Sequence, residues 1–151
     1  MSKYGFQELL VWQKAKSLAV NIYQLTGRGA LAQDLGLADQ IRRSAVSVPS
    51  NIAEGDERNT DKYSLRCLYI AKGSLAELFT QLIITREVGY LSPTEADSLT
   101  QQCSEVGKML GGLIKARSRT LNFKMLFLGI TLGLLAAYFF QSPPTSLSLN
   151  L

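Results

Sequence analysis

Histidine is absent from the whole chain, which removes the commonest general acid–base and the commonest metal ligand together. Cysteine is scarce. Cys67 and Cys103 stand far apart with no CxxC or other metal-binding spacing, so no disulfide framework or zinc site is indicated and a reducing cytoplasm is the expected setting. Hairpin turns of the Asn-Gly or Asp-Gly kind are missing, and no period-two alternation runs beyond a few residues, which argues against a sheet. There is no glycine-rich phosphate loop and no paired-acid motif. The opening MSKYGFQELLVWQKAK lacks an apolar signal-peptide core and is interrupted by Lys14 and Lys16, so secretion is not expected. Glu54, Asp56 and Glu57 form the only local acid cluster, and the latter two leave the helical face that carries Glu54. The chain is therefore expected not to be an enzyme, and to need no metal and no cofactor.

What is present is apolar: 46% of the residues are hydrophobic and only 19% charged, with a net charge of +4. Much of this sits in one run, MLFLGITLGLLAAYFF, Met125 to Phe140, which holds no charge. Without residues 121–151 the charges lose only Lys124. The rest, residues 1–120, suffices for one domain with its own core.

Four helical stretches are predicted in that body from apolar residues at steps of three and four. The first runs through Val11, Ala15, Leu18, Ile22 and Leu25 and stops at Gly27 and Gly29. The third runs through Leu68, Ala71, Leu75, Leu78 and Leu82 and stops near Gly89. The fourth follows Ala96, Leu99, Cys103, Val106, Leu110 and Leu113. It opens on Ser92-Pro93-Thr94-Glu95, where Ser92 caps, Pro93 takes the first helical position and Glu95 closes a capping box. The second runs through Ile41, Ala45, Val48 and Ile52, and its rhythm passes Pro49 without losing phase. An interior proline removes a backbone hydrogen bond and costs about 3 kcal/mol in a regular helix. The unbroken phase favours one kinked helix ending around Gly55. The competing reading is a break, with Asn51 capping a new helix and Glu54 closing its box. Four helices with short connections and one apolar face each give an all-α, antiparallel up-and-down four-helix bundle with a proline-kinked second helix. A hydrophobic helix at 121–141 and a disordered tail at 142–151 are expected to follow.

QIRRSAVSVPSNIAEG, followed by IAKGSLAEL and REVGYL, resembles the four-helix-bundle proteins encoded in 23S rRNA intervening sequences. VWQKAKSLAVNIYQLT and KMLGGLI fit the same pattern, and the resemblance covers roughly residues 6–116. The accessory proteins of diversity-generating retroelements are similar in fold and more distant. The resemblance implies a kinked second helix, a homopentameric ring of bundles and no enzymatic activity. The retroelement relatives imply binding to nucleic acid and to a reverse transcriptase. Three local departures from the family pattern stand out. GRGALAQDLGL lacks an aromatic-proline pair, Ala38 stands where a Ser or Thr cap is expected, and Asp56-Glu57 adds acid beside Arg58. A fourth is the chain beyond residue 120.

Arg43, Ser47, Asn51, Glu54 and Arg58 are spaced to project from one side of the second helix. Two readings stand side by side. In one, Arg43 and Arg58 meet phosphates while Ser47 and Asn51 hydrogen-bond nearby. In the other, Glu54 pairs with Arg58, and Ser47 and Asn51 satisfy backbone groups freed by Pro49. Arg42 lies off the stripe as the freer cation. With Lys62, Arg66 and Lys72 these arginines make a candidate patch for RNA or DNA backbone, and a ring of subunits would multiply its contacts. Trp12, Tyr23, Tyr63 and Tyr69 are candidate stacking platforms, but helical spacing favours core or subunit interface. Gly73 in mid-helix points to close approach of a neighbouring helix.

The segment at 121–141 is a candidate membrane span. Met125 to Phe140 makes about 24 Å of helix, short of a core of about 30 Å, and Leu121 to Phe123 extend it if Lys124 snorkels. Lys115, Arg117, Arg119 and Lys124 all precede it, whereas QSPPTSLSLNL beyond carries no charge. That asymmetry fits a cytoplasmic bundle anchored to the inner membrane, and the alternatives are an adventitious extension read through from neighbouring sequence or a helix packed within the oligomer. Gly129 and Gly133 form a GxxxG spacing suited to close packing of spans. The function expected first is a non-enzymatic oligomeric scaffold that binds nucleic acid. The alternative is a protein-binding or structural assembly docked on a membrane.

Overall fold

A computed structural model describes residues 5–58 and 60–141. Among them every regular element is helical. A 3-10 turn at Gly5–Glu8 leads into α1, Leu10–Thr26, and another at Ala30–Ala32 leads into α2, Leu35–Glu57. Then come α3, Asp61–Glu87, and α4, Pro93–Gln141. Each helix packs on its neighbour in sequence and α1 closes the ring against α4. Along the α1–α4 seam, Lys14 meets Glu105, Asn21 meets Gln102 and Arg28 meets Glu95. Rising numbers on one helix meet falling numbers on the other, so the pair is antiparallel. The α2–α3 seam runs the same way, from Ser44–Gln81 to Ser47–Ser74. The fold is the up-and-down bundle that the stripes predict.

Those stripes form the core. Leu18, Ile22, Ile41, Ile52, Leu68, Leu78, Leu82 and Leu110 are sealed from solvent, each contributing about 1.5–3 kcal/mol of burial. Leu113, expected on the α4 stripe, is only partly buried, and Ile114 takes the last core position. The capping box forms as expected. The Glu95 amide donates to Ser92 Oγ at 3.3 Å and the Ser92 amide donates to Glu95 Oε2 at 3.1 Å. The Ser92 hydroxyl first, then the Ser92 amide, hold the Glu95 carboxyl below its ordinary range, with a smaller contribution from the charge of Arg28. Gly89, at φ 80°, ends α3. There the Tyr90 amide reaches back to the Thr85 carbonyl, closing a turn that needs a left-handed residue.

The α2 helix is continuous through Pro49, and Ala45, Val48 and Ile52 stay buried on one face. The break reading fails, because Asn51 caps nothing. Its Nδ2 donates to the Ser47 carbonyl at 2.8 Å and to Ser47 Oγ at 3.1 Å. Proline leaves the Ala45 carbonyl without its helical donor, and Asn51 serves the next turn rather than that group. Asp34, not position 38, caps this helix, its Oδ1 accepting from the Leu37 amide at 3.0 Å. The helix ends close to the expected Gly55. It runs on to Glu57, and Gly55 is buried where a Cβ would lie 3.1 Å from both Cys67 Cβ and the Ser64 carbonyl. Gly55 therefore marks the crossing of α2 and α3. Gly73 has the opposite character: a Cβ there meets nothing within 4 Å, so the close neighbour expected at Gly73 is not another helix of this chain.

The apolar segment expected as a separate helix is the continuation of α4, with no interruption at residue 120. Beyond Ile114 the helix leaves the core, and from Asn122 to Tyr138 every residue is exposed. The tail expected to be disordered, residues 142–151, lies outside the described residues.

Candidate binding surfaces

Of the expected phosphate-binding cations, Arg42 is employed by the bundle itself. Its Nε donates to Thr26 Oγ1 at 2.7 Å and its Nη2 to the Thr26 carbonyl at 2.9 Å. Thr26 ends α1 and is fully buried. A cation at a helix C-terminus, bonded to a carbonyl with no helical donor of its own, is doubly favoured. The guanidinium also lies over Tyr23 at 5.6 Å. Arg42 is thus not the freer candidate but a structural cap.

Arg43 is exposed and makes no ion pair among the described residues. It lines a recess of about 630 Å³ together with Asp39, Arg42, Ser47, Ser74 and Glu77. Two carboxylates share that recess with two guanidinium groups, so its charge is mixed. Its floor is a polar seam that periodicity does not reveal. Ser47 Oγ meets Ser74 Oγ at 2.8 Å, Ser44 Oγ donates to Gln81 Oε1 at 2.6 Å, and Gln81 Nε2 donates to Glu77 at 3.0 Å. Ser44 and Gln81 are buried, and their pairing fixes the register of α2 against α3.

Arg58 is also committed. It bonds Glu54 at 2.7 Å and lies 4.5 Å from the centre of the Tyr63 ring. The Glu54 hydrogen bond, then the charge interaction with the Tyr63 phenol group, push its guanidinium further above the ordinary arginine value. The i,i+4 pairing expected from sequence is therefore present. Lys62 and Arg66 remain, exposed and without ion pairs among the described residues, around a recess of about 400 Å³ that they share with Tyr63 and Tyr69. Arg43 lies about three helical turns, roughly 16 Å, from the level of Glu54 on α2. The expected single patch is therefore two, with Arg43 in the middle of the bundle and Lys62 with Arg66 at one end. Lys72 is exposed as well and makes no ion pair among the described residues.

The aromatic residues divide. Trp12 packs against the core and meets Phe6 edge-on at 5.0 Å. Tyr23, Tyr63 and Tyr69 are 51%, 39% and 56% exposed, so they are not core of this chain. Both cysteines are buried free thiols. Burial pushes the Cys67 thiol up, and pushes that of Cys103 up to about 12. Among the described residues no three His, Cys, Asp or Glu side chains gather where they would hold a metal ion. Glu54 is held by Arg58, while Asp56 accepts from Arg117 at 2.7 Å.

The remaining surface is the outer part of α4. Phe123, Met125, Leu126, Phe127, Leu128 and Ile130 are each more than half exposed, as are Leu132, Leu134, Leu135 and Tyr138. They surround the helix on all sides, unlike the stripe of a helix that packs in water. The described part of α4 and all of α3 are long and apolar enough to cross a membrane, with mean hydropathy of 1.6 and 1.3 in their most apolar stretches. Only α3 lays that stretch into the bundle core. Two ion pairs brace the root of the outer segment. Arg117 meets Asp56 near the end of α2, and Lys124 Nζ meets Asp61 at the start of α3. Asp56 and Asp61 are largely shielded, at 13% and 18% exposure.

The family model of the 23S rRNA-intervening sequence protein matches residues 7–112. Among solved structures, a protein of unknown function from the S23 ribosomal protein family of Bacteroides thetaiotaomicron has a similar fold. Its TM-score is 0.65 at 24% identity, and the match covers 70% of this chain and 99% of that one. No curated protein matches the sequence. The family match ends before the exposed part of α4 begins.

Proposed function

We propose that this chain, which belongs to the 23S rRNA-intervening sequence protein family, is a non-enzymatic scaffold held on a membrane by the outer part of α4. The supporting observation is the run of exposed apolar side chains around the whole helix from Phe123 to Tyr138. Leaving so many large apolar groups in water forgoes about 1.5–3 kcal/mol for each. A hydrocarbon slab satisfies all sides of such a helix at once. Residues 121–140 make about 30 Å of helix, the thickness of a bilayer core. The side chain of Lys124, reaching back to Asp61, lets the apolar stretch begin at Leu121. The basic residues on one side of the span favour a cytoplasmic bundle with the anchor in the inner membrane. The test is alkaline carbonate extraction of the full chain from membranes or vesicles. Retention in the pellet supports the reading, and release into the supernatant refutes it.

A second reading, nucleic-acid binding, is favoured by the unpaired Lys62 and Arg66 beside Tyr63 and Tyr69, a pairing of cations with stacking surfaces suited to RNA or DNA. The capping role of Arg42 and the pairing of Arg58 with Glu54 leave it fewer cations than the sequence suggests. Titration of single-stranded and duplex oligonucleotides with the full chain in non-ionic micelles, at two salt concentrations, tests it. Assembly into a ring, a pentamer in the resemblance, belongs to either reading. It would use the outer face of α3, where Tyr69 and Ile83 are exposed on either side of the open Gly73. Light scattering of the micellar protein measures the subunit number.

A further inference from the structure

We infer that the end of the bundle where α2 turns into α3 lies on the membrane surface, with Lys62, Arg66, Lys115 and Arg119 meeting anionic phospholipid headgroups. The inference rests on the reading of α4 as a membrane anchor and adds an orientation and a lipid chemistry to it.

The argument begins with the absence of a linker. The helix that supplies the last core residue, Ile114, enters the apolar run without a break. From Ile114 to Leu121 is about 10 Å. The root of the apolar run is bound to the α2–α3 turn on both sides, by Arg117 to Asp56 and by Lys124 to Asp61. The turn therefore cannot swing away from the headgroups while α4 is in the bilayer. Because α3 starts at Asp61 and runs back antiparallel to α4, Lys62 and Tyr63 lie in its first turn and Arg66 in its second.

Charge is distributed along the bundle to match. At the span end, three of the four acids between Glu54 and Asp61 are each occupied by a cation: Glu54 by Arg58, Asp56 by Arg117 and Asp61 by Lys124. Glu57 is the acid left over in that stretch, and Glu8, in the 3-10 turn that packs on α2, is a second acid without an ion pair among the described residues. Lys62, Arg66, Lys115 and Arg119 keep their charges unpaired among the described residues. At the far end the balance reverses. Arg28, Arg42, Arg43 and Arg86 are outnumbered there, by one, by Asp34, Asp39, Glu87, Glu95 and Asp97. A bundle with one basic and one acidic end, whose basic end is bound to the root of an apolar helix, is complementary to an anionic leaflet. Each basic side chain near such a surface strengthens binding roughly five-fold. Tyr63, 39% exposed beside Arg58, is of the residue type enriched at the headgroup level.

The experiment uses the full chain inserted in vesicles of phosphatidylcholine with and without phosphatidylglycerol. A fluorophore is placed on Glu57→Cys at the span end or on Gln33→Cys at the far end. Cys67 and Cys103 are buried, so labelling falls on the new thiol. Quenching by a headgroup-nitroxide lipid is expected to be several-fold stronger at position 57 than at position 33, and stronger with phosphatidylglycerol present. Adding Lys62→Glu and Arg66→Glu should remove the phosphatidylglycerol-dependent part. Equal quenching at the two positions in a chain that resists carbonate overturns the orientation and leaves the anchor standing. A chain released by carbonate overturns both. Absence of quenching at position 57, with a fluorescence response there to added RNA at low salt, overturns the lipid assignment in favour of nucleic acid.

Discussion

Arg42 closes the C-terminus of α1 through Thr26, one guanidinium holding both the hydroxyl, at 2.7 Å, and the carbonyl, at 2.9 Å. The two residues lie on either side of the loop between α1 and α2, so the bond joins helices that sequence reading treats separately. It also sorts the adjacent arginines, Arg42 into the fold and Arg43 onto the surface.

Arg42→Ala is expected to destabilise the bundle by about 1.5–3 kcal/mol, the range for a hydrogen bond to a charged group whose buried partner is left unpaired. Arg43→Ala should stay within about 0.5 kcal/mol of the parent, as exposed positions do. Urea unfolding of the micellar protein, followed by circular dichroism, checks both. Equal effects would mean that Arg42 does not cap α1.

Two glycines inside continuous helices, Gly55 of α2 and Gly73 of α3, should respond oppositely. Gly55→Ala places a methyl 3.1 Å from the Ser64 carbonyl and Cys67 Cβ, and rigid backbone and a buried side chain give way poorly. A loss of about 1–3 kcal/mol is expected, with α2 displaced from α3. Gly73→Ala meets open space on an exposed helix face and should stabilise the subunit by about 1 kcal/mol. A drop in subunit number with Gly73→Ala, read by light scattering, would place an assembly contact on that face.

Cys103 has a thiol pKa pushed up to about 12 by burial. In the folded chain the thiol stays neutral, whereas the unfolded thiol ionises near 9.0. A group whose folded pKa is raised stabilises fully below its unfolded pKa, and that contribution is lost as pH rises toward the folded value. Stability should therefore fall between pH 9.0 and about 12, and less steeply in Cys103→Ala. A thiol reagent at pH 8 should react with Cys103 only after unfolding. Glu95 behaves in the reverse sense. Its carboxyl is held low by Ser92, so its contribution is present above the ordinary carboxyl range and lost as acid protonates it. Glu95→Gln should flatten that acid limb of the stability curve.

Much of this fold can be read from the chain because its information is periodic and local. The positions Val11, Ala15, Leu18, Ile22 and Leu25 are all buried, and Ser92 with Glu95 carries its geometry within three residues. What escapes sequence reading depends on contacts made at a distance. Gly55 looks like a terminator because glycine ends helices, yet its reason lies across the bundle at Cys67 and Ser64. Arg42 looks free because Thr26 is sixteen residues away. The basic cluster looks like one patch because Arg43 and Arg58 share a helix face, whereas axial distance divides it and α4 contributes Lys115 and Arg119 to only one half. The polar Arg117-Ser118-Arg119-Thr120 looks like a boundary, although nothing in it prevents the helix from continuing.

Leu132→Arg tests the outer segment most directly. Leu132 lies near the middle of the run from Met125 to Phe140 and is 57% exposed, so the substitution meets no packed neighbour. In water it should cost little and even improve solubility. At the centre of a bilayer an arginine costs about 2.5–3.5 kcal/mol on insertion scales, enough to convert a carbonate-resistant chain into a largely extractable one. The bundle is remote from residue 132, so helical content and the urea midpoint of the soluble fraction should match the parent. Gly129→Leu provides the contrast, because it enlarges a surface where a Cβ meets nothing without adding charge. Retention should be unchanged, and any loss of subunit number would locate pairing of spans at Gly129 and Gly133. If Leu132→Arg remains as resistant to carbonate as the parent, the segment lies in contact with protein rather than lipid, and the anchor reading fails.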